Sequence, residues 1–559
     1  MAETTKERLN KQFAQLESER QSFEPHWREL SDYINPRGSR FLTSEVNRND
    51  RRNTRIIDST GTMAARTLAS GMMSGITSPA RPWFRLATPD PEMMDYGPVK
   101  LWLEAVQNRM NDMFNKSNLY QSLPQLYGSL GTYSTGAMAV LEDDEDIIRT
   151  MPFPIGSYYL ANSPRGSVDT CFRKFSMTVR QLVQEFGLNN VSESVKSMWE
   201  SGTYEKWIEV MHSVYPNIDR DTSKLDSKNK PFKSVYYEVG GDNDKLLRES
   251  GFDEFPIMAP RWEVNGEDVY GSSCPGMLAL GPVKALQLLQ KRKSQLIDKA
   301  TNPPMVAPTS LKNQRASLLP GDITYIDQIT GQDGFRPAYL VNPSTADLVA
   351  DIQDTRQIIN SAYFVDLFMM LQNINTRSMP VEAVIEMKEE KLLMLGPDLE
   401  RLNDECLNPL IDRSFSMMVR KNMLPPPPDA MEGMPLKVEY ISVMAQAQKS
   451  IGLSSLASTV NFIGQLAQAK PEALDKLNVD QAIDAFADMS GVSPTVIVPQ
   501  EQVEQARQQR AQQQQQQQMM AMGMAAAQGA KTLSEAKTSD PSVLSAMANA
   551  VSGQGGQSQ

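Results

Sequence analysis

The chain has 559 residues, 40% of them hydrophobic and 22% charged, and its 56 Lys and Arg against 67 Asp and Glu give a net charge of −11. Such a composition fits a folded chain of several domains, or one elongated subunit with a divided core, and excludes a chain disordered throughout. It also lacks the broad basic bias, interleaved with aromatics, of a tight nucleic-acid binder.

The first residues, MAETTKERLNKQ, are charged and helix-prone instead of forming an apolar leader, and no apolar run approaches the ~20 residues of a membrane span. A soluble, unsecreted protein with no membrane partner is therefore expected. From Thr4 to Tyr33, Leu9, Phe13, Leu16 and Phe23 recur at near-helical spacing, predicting one amphipathic helix that stops at Asn35-Pro36-Arg37-Gly38. A second helix follows Asp58-Ser59-Thr60 and runs to Thr77. Ser78-Pro79 and Arg81-Pro82 end it, and WFRLATPD then reads as a short strand. Helix is predicted again from Pro98 to Phe114. Between Gly131 and Gly251 the period changes to two: GAMAVLEDDEDIIRTMPF, SYYLANSPRGSVDTCFRKF, and KSVYYEVGG with KLLRESGF read as three hairpins, interrupted by a helix at Thr178 to Phe186.

Past Tyr270 the pattern is mainly helical, so the fold class is α+β with helix predominating. One rod runs from Pro282 to Ala300, with Val283, Leu286, Leu289, Leu296, Ile297 and Ala300 on one face, and Pro303-Pro304 ends it. Pro304 to Asn342 is a short strand-and-turn region. A second rod starts at the capping pattern Ser344 to Asp347 and carries Leu348, Ile352, Ile359, Ala362 and Leu367. After the polar loop QNINTRSM, Gln372 to Met379, a third helix extends from Pro380 to Met423, bent at Pro397 and Pro409, and Pro425 to Pro428 stop it. Ile441 to Met489 is Ala/Gln/Leu-rich and helical. The remainder, with AQQQQQQQMM from Ala511, has strong helix formers but almost no apolar face until Met519, and mixed order is expected there, with disorder after Thr532.

Catalytic chemistry has little to draw on. The two histidines, His26 and His212, have aromatic neighbours in Trp27 and Tyr215 and read as packed side chains. Cys171, Cys274 and Cys406 are far apart and in no C-x-x-C pair, which argues against a disulfide framework and a zinc site. In LEDDEDIIR the carboxylates Glu142 to Asp146 could gather a divalent metal for a hydrolase, but a charge run at a hairpin tip reads first as a solvated turn. GSLGTYSTG, Gly128 to Gly136, lacks the spacing and the Lys-Ser/Thr of a phosphate cradle and reads as a tight strand-helix junction. GMAAAQGAKT, Gly523 to Thr532, misses the Walker spacing by one residue. No cofactor, metal or catalytic residue is expected. The 33 methionines fit either an adaptable core or subunit contacts.

The positive signal is one of architecture. From Gly281 to Pro320 the bases Lys284, Lys291, Arg292, Lys293, Lys299, Lys312 and Arg315 face a single acid, Asp298, in a chain that is otherwise acidic. A solvated helix face and a functional basic surface both remain open for this stretch.

Several unlike motifs occur in a fixed order: RPWFRL (81 to 86), FPIMAPRWEVNGEDVYGSSCPGMLAL (255 to 280), NPPMVAP after the first rod, FVDLF in the second, and LGPDLERLNDECLNPLIDRSFSMM (395 to 418). In these the chain resembles the portal, or head-to-tail connector, proteins of short-tailed tailed bacteriophages, from the N-terminal helix to about residue 510; the Gln-rich tail matches no fixed pattern. The resemblance implies a portal fold that closes into a ring of about twelve copies at one capsid vertex, through which double-stranded DNA passes without sequence specificity during packaging and ejection. It implies a wing at 1–280 and in the kinked helix 380–424, stem helices at 281–303 and 343–371, a clip at 304–342, a tunnel loop at 372–379, a crown at 425–495 and a tail or barrel at 496–559. Its partners would be the terminase large subunit docked on the clip, then a tail adaptor protein, with capsid and scaffold proteins, in a virion assembled in the host cytoplasm. Lys284, Lys291, Arg292 and Lys293 of the stem and Asn373, Asn375 and Arg377 of the tunnel loop are the candidates for the DNA channel. Lys312, Arg315, Asp322 and Tyr325 are the candidates for clip docking. The alternatives are another head-tail ring component such as a tail adaptor, a metal-dependent hydrolase on Glu142 to Asp146, and an unrelated helical scaffold.

Overall fold

The computed structural model describes residues 3–45, 55–301, 345–372, 400–431, 456–467 and 477–535, with short omissions inside some stretches, and the strand segments 305–306, 336–337 and 437–440. The chain divides into two units, 1–451 and 452–559.

Helix α1 (Thr5–Arg20) opens on a capping box: Thr4 Oγ1 accepts from the Glu7 N–H while Glu7 Oε2 accepts from the Thr4 N–H. The single helix expected to Tyr33 is broken at residues 21–23, and α2 (Glu24–Tyr33) restarts with Pro25 in its first turn. Pro25 has no N–H to return to the Gln21 carbonyl, and the bend is held by Arg20, 2% exposed, whose guanidinium donates to the carbonyls of Gly156 (2.7 Å) and Tyr158 (2.9 Å) and to Glu24 (2.5 Å). Once the chain bends, Phe23 stacks on Trp27 and both meet Tyr270.

Helix α3 (Thr60–Gly75) is studded with small residues so that neighbours can approach. A Cβ at Gly71 would lie 2.2 Å from the Phe368 ring, which fixes where the second rod crosses it. Strand β1 (Phe84–Ala87), α4 (Gly97–Lys116) and α5 (Leu119–Tyr133) follow. The glycine-rich stretch is the last turns of α5 and the bend after it, with Ser134 at φ 63°, so the junction runs from helix to strand.

β2 (Ala137–Asp143) and β3 (Ile147–Phe153) make the first expected hairpin. A five-stranded antiparallel meander follows: β4 (Tyr158–Asn162), β5 (Val168–Thr178), β6 (Trp207–Pro216), β7 (Phe232–Glu238) and β8 (Arg248–Phe252). Between β5 and β6 stand α6 (Val179–Phe186), with its own Thr178/Gln181 capping box, and α7 (Glu193–Glu200). Period-two alternation divides the sheet: Met211, Tyr215, Val235 and Tyr237 pack with Leu9 and Leu16 of α1, while Val210 packs with Leu182 and Phe186 of α6. His212 is on the second face, stacked on Tyr236 at 3.8 Å and hydrogen-bonded to Ser234 at 3.0 Å. Tyr215, three residues on, therefore points to the other face and is not its partner. His26 is exposed, on the outward side of α2, because Trp27 takes the inward position. β9 (Ile257–Met258) joins β2.

Helix α8 (Pro275–Thr301) starts seven residues before the expected Pro282, which lies inside it. Pro282 forfeits one backbone hydrogen bond, but Gly276, Ala279, Leu280 and Val283 are buried around it and hold the first turns. The two-residue strands β10 (Met305–Val306) and β11 (Arg336–Pro337) pair beyond it. The second rod is interrupted: α9 (Thr345–Ala362) ends and α10 (Val365–Gln372) begins across Phe364, which has φ 54°. Residues 400–402 are helical, Asn403–Leu407 form a π turn, and α11 (Asn408–Arg420) follows. Pro409 has no N–H and its ring needs room, and the wide turn just before it accommodates both. β12 (Lys437–Tyr440) pairs with β1, Phe84 opposite Tyr440.

In the second unit, α12 (Val479–Ser490) and α13 (Gln500–Glu535) are joined by Arg507, which meets both oxygens of Asp480 at 2.6 and 2.7 Å. The Walker-like run lies in the interior of α13. Among the described residues no helix is long and apolar enough to cross a membrane.

Glu405, in the π turn, locks the first unit across distant sequence. Arg261, 2% exposed, bonds it at 2.6 Å and also donates to the carbonyls of Gly166 (2.8 Å) and Asp268 (3.2 Å). Glu405→Leu strands that guanidinium and should cost about 3–5 kcal/mol in urea unfolding, whereas Arg261→Met together with Glu405→Leu should recover much of the loss. A single variant with the parental midpoint would remove the pair from the stability argument.

Candidate functional site

The basic rod α8 changes character along its length. Val283, Leu286 and Gln287 are buried, and every residue after Gln287 is half-buried or exposed, so the outer half of the helix projects from the core with α9 alongside. At ~1.5 Å per residue the whole helix is a ~40 Å rod. Leu288 and Ile297, each 47% exposed, show apolar surface that the described residues do not cover.

The four stem bases separate into two groups. Lys284 is bound within its own chain: Nζ meets Glu29 Oε2 at 2.7 Å and lies 5.6 Å from the Tyr33 ring. The hydrogen bond and charge of Lys284 hold the Glu29 carboxyl below its ordinary range. Lys291, two turns on and on the same side, is exposed, as is Arg292; Lys293 is half-buried. None of these three forms an ion pair among the described residues. At 100° per residue they fan around the rod as a partial collar instead of a stripe.

A single carboxylate sets the rod's root. Asp58, with a side chain 6% exposed, accepts from Thr60 N (2.9 Å) and Thr60 Oγ1 (2.5 Å) at the start of α3. Its other oxygen accepts from Gln290 of α8 (2.9 Å) and from Arg356 of α9 (2.6 Å). Gln287 completes the joint by accepting from the Ile57 and Asp58 N–H groups (2.6 and 2.8 Å) and donating to the Asp58 carbonyl (2.9 Å). Burial works against ionisation there, but the bonds from Thr60, Arg356 and Gln290 outweigh it and bring Asp58 down to about 2. The sequence marks Asp58 only as a residue before a helix start; its three-helix role depends on contacts that no local pattern carries.

The acidic run forms a hairpin tip. Asp143 Oδ1 accepts from the N–H groups of Glu145 (2.8 Å) and Asp146 (3.0 Å), and Glu142 meets Arg420 of α11 at 2.6 Å. Ile147 closes the turn at φ 71°, a strained position for a β-branched residue. Among the described residues no cluster of three metal-ligating side chains forms. Burial pushes the thiols of Cys171, Cys274 and Cys406 up to about 12, far from a reactive thiolate. Burial, with Arg173 and Arg248 nearby, holds His212 well below its ordinary value, so it stays neutral. Asn373, Asn375 and Arg377, and Lys312, Arg315, Asp322 and Tyr325, lie outside the described residues.

A family model described as "Bacteriophage head to tail connecting protein" matches residues 6–498. The chain is similar to the portal protein of Salmonella phage epsilon15, with 80% identity over 98% of this chain and 99% of that one. It is also similar to the probable portal protein of Bordetella phage BPP-1, with 44% identity over 99% of this chain and 100% of that one. A chain from the neck of an empty GTA particle aligns over 72% of this chain and 86% of its own, at TM-score 0.36 and 11% identity, and carries no weight for the fold.

The root joint has a defined pH response. A carboxyl lowered from 3.8 to about 2 on folding adds stability that is fully present above pH 4 and is lost as pH falls from about 4 through about 2. Asp58→Asn should lower stability by roughly 1–3 kcal/mol at neutral pH and flatten that part of the acid limb. Urea midpoints across this range check it, and equal slopes in both proteins would contradict the ionised joint.

Proposed function

Because the chain belongs to the family of bacteriophage head to tail connecting proteins, we propose that it is the portal subunit of a phage head, with about twelve copies closing into a ring at one vertex. DNA enters and leaves along the ring axis. The observation that carries this reading is the 80% identity, end to end, to the epsilon15 portal protein. That match also favours a portal over a tail adaptor.

In this reading 1–280 and 380–424 form the wing, 281–303 and 343–371 the stem, 304–342 the clip, 372–379 the tunnel loop, 425–495 the crown, and 496–559 a tail or barrel. The clip receives the terminase large subunit and later a tail adaptor, through Lys312, Arg315, Asp322 and Tyr325; capsid and scaffold proteins surround the wing. The subunit works as a conduit and not as a catalyst, in keeping with its masked thiols and neutral, stacked His212.

Symmetry explains why a partial collar suffices. One base per chain becomes a hoop of about twelve charges in the ring. Each phosphate that a fixed base neutralises adds roughly one unit to the salt slope of binding, so a channel basic throughout would grip DNA instead of passing it. Lys291, Arg292 and Lys293 on the rod, with Asn373, Asn375 and Arg377 in the tunnel loop, are assigned to the duplex or to acids of adjacent copies. Lys284 is assigned to bracing the stem against α2 through Glu29.

Negative-stain imaging and mass measurement of the purified protein should show a closed ring with a central hole, and a permanently monomeric chain would refute the reading. Within assembled heads, Arg377→Glu should reduce packaged DNA several-fold with ring formation unchanged. Packaging and ejection at parental levels would remove Arg377 from the mechanism.

A further inference from the structure

The two rods carry matched stripes on surfaces that the described residues leave open. Leu289 of α8 packs against the core cluster that holds Ile352 and Ile359 of α9, and these positions mark the inward sides of the rods. Ala285, Leu288, Arg292 and Gln295 of α8 are all exposed, and so are Asp351, Asp354, Ile358 and Ser361 of α9, with Ile358 at 56%. Each set follows the same 3-4-3 spacing, which lines residues up along one side of a helix. Arg292, Asp351 and Asp354 form no ion pair among the described residues.

The joint at Asp58 supplies the register. Gln290 and Arg356 reach the same carboxylate oxygen, at 2.9 and 2.6 Å, so they stand at one level on the two rods. The rods run in opposite directions, in keeping with the antiparallel pairing of β10 with β11 beyond them. Counted from that level, Arg292 and Asp354 are each two residues outward, and Gln295 and Asp351 five. Leu288 and Ile358 are each two residues inward, and Ala285 and Ser361 five. Every position of the α8 stripe therefore has its complement on α9 at the same height: base with acid, amide with acid, apolar with apolar, small with small.

A head-to-tail ring joins two different patches of the same chain, and rotation about its axis preserves height. Rods that run along that axis bring the α8 stripe of one copy level with the α9 stripe of the next. We propose that the two stripes form the seam between neighbouring copies: Arg292 of one copy pairs with Asp354 of the next, Gln295 donates to Asp351, and Leu288 packs on Ile358. Ala285 and Ser361 are small enough to let the helices approach at the inner end. The inference rests on the ring reading above, and it assigns Arg292 to the adjacent copy and not to the duplex. At ~1.5 Å per residue the matched stretch is ~15 Å long. Its charges also oppose the wrong assembly, since two α8 stripes face to face would bring bases together.

Full-length chains test this by charge exchange. Arg292→Asp alone and Asp354→Arg alone each set like charges across the seam and should lower the ring fraction about tenfold at matched concentration in native mass spectrometry, with circular dichroism unchanged. Both substitutions in one chain should restore rings, because every interface regains opposite charges. An equal mixture of the two single variants should also recover closed rings, of even copy number, since strict alternation pairs Asp with Asp354→Arg and Arg292 with Asp354. Rings at the parental level in each single variant, or no recovery in the exchanged chain and the mixture when the chains are folded, would overturn the seam while leaving the ring reading intact. A parental chain that never forms rings would overturn both. If Arg292→Asp spares the ring but lowers the DNA packaged in assembled heads, Arg292 faces the duplex and the seam is wrong.

Discussion

Asp58 is the constraint through which the rest of the first unit is arranged. Its two oxygens are divided between the start of α3 on one side and both rods on the other, through Gln290 and Arg356. Gln287 binds the same backbone step from both directions, so the joint fixes angle as well as distance. The rod needs such a root because its outer half buries little within the chain. Apolar packing holds α8 as far as Gln287, and beyond it the direction of the helix is inherited from the joint. The close seat of Phe368 over Gly71 restrains the second rod on the same helix α3.

Buried guanidinium groups act in a related way elsewhere in the first unit. Arg20, Arg261 and Arg413 are each 2% exposed, and each bonds a carboxylate together with backbone carbonyls; the carboxylate is local for Arg20 (Glu24) and distant in sequence for Arg261 and Arg413. Arg413 reaches the Val140 carbonyl at 2.9 Å and Glu254 at 3.2 Å, placing α11 across the hairpin. A planar fork with several donors suits this use better than an ammonium, because it satisfies carbonyls and carboxylate together. The charges are costly to bury and hold a geometry that apolar contacts alone would leave less specific.

Elements with a local cause were legible in the sequence. The hairpins β2–β3, β4–β5 and β7–β8 follow alternation bounded by turns, and α6 follows its Thr178/Gln181 box. Features decided at long range were not. Nothing near Phe84 announces its pairing with Tyr440, and the π turn before Pro409 accommodates a proline that local rules treat as a simple bend. The helix break at 21–23 has a local sign in Pro25, but the bend is held by Arg20 on the carbonyls of Gly156 and Tyr158, far along the chain. Proline rules placed the start of α8 at Pro282, whereas burial of Gly276, Ala279 and Leu280 outweighs one lost hydrogen bond. Of the candidate site, the basic bias of the rod was visible as composition, but its division into a braced Lys284 and an unbraced collar depends on Glu29, whose position only the fold reveals.

Charge placement and rigidity bear on the same problem. A subunit with net charge −11 repels a duplex at long range, while screening confines that repulsion to about 8–10 Å at physiological salt. Positive side chains therefore matter only where they stand close to the axis, and a few suffice because symmetry multiplies them. In the proposed channel their positions must then be stable, since a base that swings by several ångströms would change from a guide to a clamp or to nothing. An acidic chain with a sparse collar needs a stiffly rooted rod, and the hydrogen-bonded joint at Asp58 meets that need where apolar burial runs out.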